Sequence, residues 1–154
     1  APRQHMRKMK VGKVTFTEAY KAVHEYRQKF PEKAVTFYAQ NYPAMGWAVF
    51  MAGGSCPVIP CTDKAFLKDA AAMEVEETNT DEYKKMVKSD IGSIIYSKSG
   101  TEIPVQLSSG KYVLKYIHPA SGKIETINKS LKINGLYNLK VPDKKEGIYW
   151  FHKL

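Results

Sequence analysis

The sequence predicts a chain of mixed α+β class in successive parts: an α/β segment over residues 1–75, a connector at 76–90 and an antiparallel β-sandwich over 91–154. Two observations predict it. Between Thr15 and Met73, three stretches with helical apolar spacing alternate with two short apolar runs, giving the order helix, strand, helix, strand, helix. From Ile91 onward, short β-rich runs are separated by turn signals about every 8 to 12 residues.

The first helix opens on Thr15 and Glu18, spaced as a capping box that satisfies free amides at a helix start. Ala19, Val23, Tyr26 and Phe30 then form one apolar stripe, and Pro31 ends the helix. Lys33–Ala39 reads as a strand, apolar on both faces as in a parallel sheet covered by helices. Pro43 suits the first turn of a second helix through Trp47, Val49 and Phe50, with Gly53 and Gly54 at a left-handed exit. Ser55–Ile59 reads as a second strand. Thr62 or Asp63 caps a third helix, whose Ala65, Phe66, Leu67, Ala70 and Met73 give a broad buried face. This order resembles right-handed strand-crossover-strand units. Two strands alone leave open sheet edges, so partner strands are expected elsewhere.

Glu74–Asp90 is polar, with Thr80 placed to cap a short helix through Met86. The β-rich runs that follow are Ile91–Ser97, Glu102–Leu107, Lys111–His118, Lys123–Asn128, Leu131–Ile133, Leu136–Val141 and Ile148–Leu154. Alternation in Lys111–Ile117 and Leu136–Val141 puts one face on a core and the other in water. Asn134-Gly135 is the strongest hairpin signal, because both residues tolerate the positive φ of a type I′ turn.

Composition narrows the function classes. With 44% hydrophobic residues in 154, the chain can bury a core, and no window approaches the roughly 18 uninterrupted apolar residues of a bilayer helix. The net charge is +9, of which Arg3, Arg7, Lys8, Lys10 and Lys13 supply a large share within an acid-free start. Elsewhere the basic residues are scattered through alternating strands, and neither a paired-aromatic RNA-binding phrase nor a glycine-rich phosphate loop is present. No nucleic-acid partner and no membrane are expected. Ala1-Pro2-Arg3 opens without an initiator Met or a signal-peptide pattern, so the numbering is expected to begin at a processed or excised end.

Several phrases carry a family resemblance. Asn41–Ser55 (Asn-Tyr-Pro-Ala-Met-Gly-Trp-Ala-Val-Phe-Met-Ala-Gly-Gly-Ser) resembles the last barrel helix and glycine-rich turn of certain bacterial glycoside-hydrolase-like proteins. In these an eight-stranded α/β barrel precedes a small β-sandwich, related to modules named for collagen binding. Tyr96–Val105 with its Ile103-Pro104-Val105, the run Tyr116-Ile-His-Pro-Ala-Ser-Gly122, and the closing Gly147–Leu154 are similar to phrases of that sandwich. The resemblance implies that residues 1–75 are a (β/α) barrel remnant, with Lys33–Ala39 the seventh strand, Ser55–Ile59 the eighth and residues 63–73 the last helix. A complete barrel needs roughly 250 residues. It also implies a secreted bacterial protein, periplasmic or extracellular, whose partners are a carbohydrate substrate and the rest of the parent barrel.

Glycoside hydrolysis generally uses two carboxylates, placed in barrel enzymes at the C-terminal ends of strands. Tyr38, Ala39, Gln40, Asn41 and Tyr42 at the expected end of the seventh strand include no acid, so no catalytic residue is assigned and the segment alone is expected to be inactive. After the eighth strand the first acid is Asp63, in a capping position. Gln40, Asn41 and Tyr42 are candidates for substrate binding, since amides donate and accept and Tyr adds an apolar face; the alternative is a polar turn before Pro43. On the resemblance Arg3 and His5 lie in a loop on the same rim and bind an acidic or hydroxyl-rich substrate; the alternative is a frayed basic terminus.

No histidine pair has a metal-ligand spacing, and Cys56 and Cys61 read as buried free thiols, so no metal and no cofactor are expected. Asn128-Lys129-Ser130 fits a glycosylation acceptor. Two functions remain: an ancillary sandwich supporting the barrel of a carbohydrate-active protein, or a non-catalytic glycan- or protein-binding module. Tyr112, Tyr116, Tyr137, Tyr149 and Trp150 discriminate. A flat exposed row favours glycan binding, and burial against residues 40–75 favours support.

Overall fold

The computed structural model describes residues 15–36, 43–55 and 57–154. In chain order they form helices α1 (Phe16–Lys29), α2 (Pro43–Met51) and α3 (Lys64–Ala72), then strands β1 (Glu74–Glu76), β2 (Tyr83–Lys88), β3 (Gly92–Ser97), β4 (Glu102–Gln106), β5 (Gly110–Ile117), β6 (Ile124–Ile133), β7 (Leu136–Lys140) and β8 (Gly147–Lys153). All paired strands are antiparallel. A six-stranded sheet has the order β1-β2-β3-β8-β5-β6, and β4 and β7 make a separate two-stranded sheet.

β8 explains the layering. Its successive side chains point to opposite faces of the sheet. Ile148 and Trp150 enter a core shared with Trp47, Phe66 and Met51 of the helices, while Tyr149 and Phe151 enter a second core with Ile103, Val105, Leu139 and Val141 of the small sheet. The large sheet is therefore the middle layer, with helices on one face and two strands on the other. The mixed α+β class holds; the two short strands expected before α3 do not pair as strands among the described residues. Residues 34–36 and 57–59 form no ladder, and residues 37–42 and Cys56 lie outside the described residues. Among the described residues one backbone bond links the two runs, Ser55 N–H donating to the Val35 carbonyl at 2.7 Å, with Val35 N–H donating to Ser55 Oγ. At Gly46 a Cβ would run into the Val58 carbonyl oxygen, so α2 is pressed against the backbone of 57–59.

Local signals act where they were read, with five corrections. Thr15 and Glu18 form the capping box, and Asp63 Oδ1 accepts from Phe66 N–H to start α3. Gly53 takes φ +75 after α2. On α1, Tyr20 joins Ala19 and Val23 in the core, whereas Tyr26 and Phe30 stack together on the exposed surface of the last turns. On α3, Phe66 and Ala70 are buried while Ala65 and Leu67 face outward, with Asp69 on the inner side. Residues 83–86, expected within a short helix, lie instead in β2, which pairs with β3. Asn134-Gly135 joins strands of different sheets; only Gly135 has positive φ, and its carbonyl accepts from Leu107 N–H, so no type I′ hairpin forms. The two runs expected at 123–128 and 131–133 merge into β6, whose register against β5 shifts twice around Leu114, leaving Ile127 exposed.

Candidate functional site

Arg3, His5, Gln40, Asn41 and Tyr42, the expected substrate-binding residues, all lie outside the described residues. The five discriminating aromatics do not form an exposed row. Tyr112, Tyr149 and Trp150 are at most 1% exposed and Tyr116 is 5% exposed, with Tyr137 half-buried. Their hydroxyls are committed to backbone carbonyls: Tyr112 to Ser108, Tyr116 to Glu146 and Tyr149 to Lys145, each at 2.7 Å. Burial pushes the Tyr149 phenol up to about 12 and raises Tyr116 as well.

The helix-facing side of the sheet carries a polar node that sequence reasoning missed. Asp69, buried on α3, accepts on Oδ2 from Trp150 Nε1 at 2.9 Å, and His152 Nδ1 lies 2.7 Å from the same oxygen. Phe66 meets Trp150 edge-on at 5.3 Å between ring centroids and Trp47 at 6.2 Å, so one aromatic chain crosses α2, α3 and β8. Trp47 Nε1 donates to the Pro119 carbonyl in the β5–β6 turn at 2.8 Å. Both indoles thus fasten helix layer to sheet by hydrogen bonds inside an apolar core, where an unmet N–H is costly. The available signal was Asp69 itself, an acid on the stripe of Phe66, Ala70 and Met73.

Two apolar-walled clefts flank this structure. One of about 510 Å³ lies between α1, α3 and β1, with His24 and Arg27 at its rim and Phe50, Leu67 and Met86 inside. Arg27 is engaged there, donating to the Pro31 and Lys33 carbonyls. The other, about 450 Å³, opens between the two sheets beside Tyr137, Ile127 and Glu125. The His118 imidazole, with Lys145 and Lys123 near, holds the Glu125 carboxyl below its ordinary value. Cys61 is buried, and that burial raises its thiol; Cys56 lies outside the described residues. Among the described residues no group of three or more His, Cys, Asp or Glu could hold a metal, and no helix is long and apolar enough to cross a membrane.

A family model described as "Domain of unknown function (DUF6298)" matches residues 1–73. No curated protein matches the chain. Structural similarity to a solved "Glycoside hydrolase" is weak: TM-score 0.39 at 15% identity, over 51% of this chain and 19% of that one. The capsular polysaccharide assembling protein CapF from Staphylococcus aureus aligns at 16% identity with TM-score 0.18, over 52% of this chain and 25% of that one. CapF with the inhibitor 3-isopropenyl-tropolone aligns at 12% identity with TM-score 0.22, over 89% and 44%. The chain spans less than half the length of each of these structures.

Proposed function

We propose that this chain is the C-terminal portion of a carbohydrate-active, glycoside-hydrolase-like protein, in which the sheets brace the helical segment and do no chemistry. One observation carries the bracing role: Trp150 is fully buried against α3, with its N–H taken by Asp69. A glycan platform would leave such rings bare. The carbohydrate half of the reading is supported by the phrases at residues 41–55, 96–105, 116–122 and 147–154. On that resemblance, residues 1–75 are the end of a barrel, residues 91–154 a sandwich of the collagen-binding type, and the protein works in the periplasm or outside the cell. In this division, residues 76–90 are a connector that lends β2 to the large sheet.

The chain, incubated with a panel of plant, fungal and bacterial polysaccharides, is expected to release no reducing ends. Sustained turnover would contradict the non-catalytic role. A Trp150→Ala chain is expected to lose helical and aromatic circular dichroism at the same reduced temperature, whereas loss of the aromatic signal alone would contradict bracing.

A further inference from the structure

A third cleft, about 390 Å³, lies between α1 and the 77–82 loop joining β1 to β2, and every residue that lines it carries a polar side-chain group beside apolar carbon surface. Its frame is set by Lys84, whose side chain is 9% exposed. The ammonium donates to the Thr80 carbonyl at 3.2 Å, lies 3.4 Å from Thr78 Oγ1 and 3.6 Å from Asp81 Oδ1, and sits 4.7 Å from the centre of the Tyr20 ring. A buried cation met from four sides pins the loop to the helix. The opposite wall is also pre-set: Glu77 Oε1 accepts from Gln28 Nε2 at 2.6 Å and lies 3.4 Å from His24 Nε2.

These bonds leave a set of groups without hydrogen bonds to other described residues: Glu77 Oε2, Gln28 Oε1, the Asn79 amide and the Lys21 ammonium. Lys21 and Lys84 offset Glu77 and Asp81 in formal charge, so neither an anion nor a cation is selected. A wholly apolar ligand would cover these polar groups and leave them unmet, which is costly. What such a site satisfies is a neutral ligand with hydroxyls on adjacent carbons, each of which both donates and accepts. We propose that this cleft binds a neutral sugar unit of a glycan. The proposal deepens the carbohydrate reading and rests on it for the choice of ligands to try.

The test is a ¹H–¹⁵N titration of the full chain with glucose, galactose, mannose, xylose, cellohexaose and maltohexaose at millimolar concentration, with inorganic phosphate as the charged comparison. Saturable shifts are expected for at least one sugar at residues 20–28 and 77–84, little changed by added salt, and absent for phosphate. Asn79→Ala and Glu77→Gln, both at exposed positions, are expected to keep the spectrum of a folded chain and weaken binding at least about tenfold. No shift with any sugar, or shifts from phosphate alone, overturns the site. Sugar shifts confined to the cleft beside Tyr137 and Glu125 overturn this site while leaving the carbohydrate reading intact. Failure of the non-catalytic reading shows up separately, as turnover of polysaccharide.

Discussion

Trp150 on the central strand β8 donates its indole N–H to Asp69 on α3 at 2.9 Å, across 81 residues of chain. This bond is the polar centre of the contact between helices and sheet. Asp69→Ala removes the acceptor and leaves the indole N–H buried and unmet, which costs about 1–3 kcal/mol. Urea unfolding should show a lowered midpoint with an unchanged slope. A loss below about 0.5 kcal/mol would mean that water or another group replaces the carboxylate.

Phe66 is fully buried between Trp47, Phe50 and Trp150. Truncating it to Ala opens a cavity on both sides of the helix-sheet contact and is expected to cost about 3–5 kcal/mol. Differential scanning calorimetry reads this as one shifted peak. A separate low-temperature peak would signal that the helices unfold apart from the sheet.

At Gly46 two effects oppose each other. Replacing a glycine inside a helix by Ala ordinarily stabilises by about 1 kcal/mol. Here the new methyl would meet the Val58 carbonyl oxygen, a backbone atom that cannot rotate aside. The clash wins, and Gly46→Ala is expected to be destabilising by at least about 1–3 kcal/mol in thermal melts. A higher melting temperature would refute the close approach of α2 to residues 57–59.

Alkali should unfold the chain through its phenols. Burial, then the charge of Glu77, pushes Tyr20 up to about 12, and burial, then Tyr116, does the same for Tyr149. Against an unfolded value near 10, the folded state holds more protons between about pH 10 and 12. Their contribution to stability is therefore complete below about pH 10 and declines as pH climbs toward 12. Tyr149→Phe should flatten that decline when urea midpoints are followed against pH. An unchanged slope would contradict a buried Tyr149 phenol.

The strands after residue 91 are legible because each lies on one core or between two, and alternation or continuous apolarity reports that directly. β2 is not legible, for a reason that can be named. Lys84 and Met86 share the helix-facing side, and the buried lysine breaks the alternation that would identify a strand. Its burial depends on the 77–82 loop and Tyr20, which no local window contains. Asn134-Gly135 gives the turn correctly, but which strand β7 joins is decided by β4, some 30 residues earlier in the chain. The candidate node fails similarly: Asp69 and His152 come together only because α3 lies across β8.

The central claim, that helices and sheets stand or fall as one braced unit, is tested most directly by native-state hydrogen exchange. Amides of α2 and α3 should exchange with the same opening free energy, and the same urea dependence, as those of β3 and β8. Helix amides exchanging through a separate, cheaper opening while the sheet stays closed would contradict it.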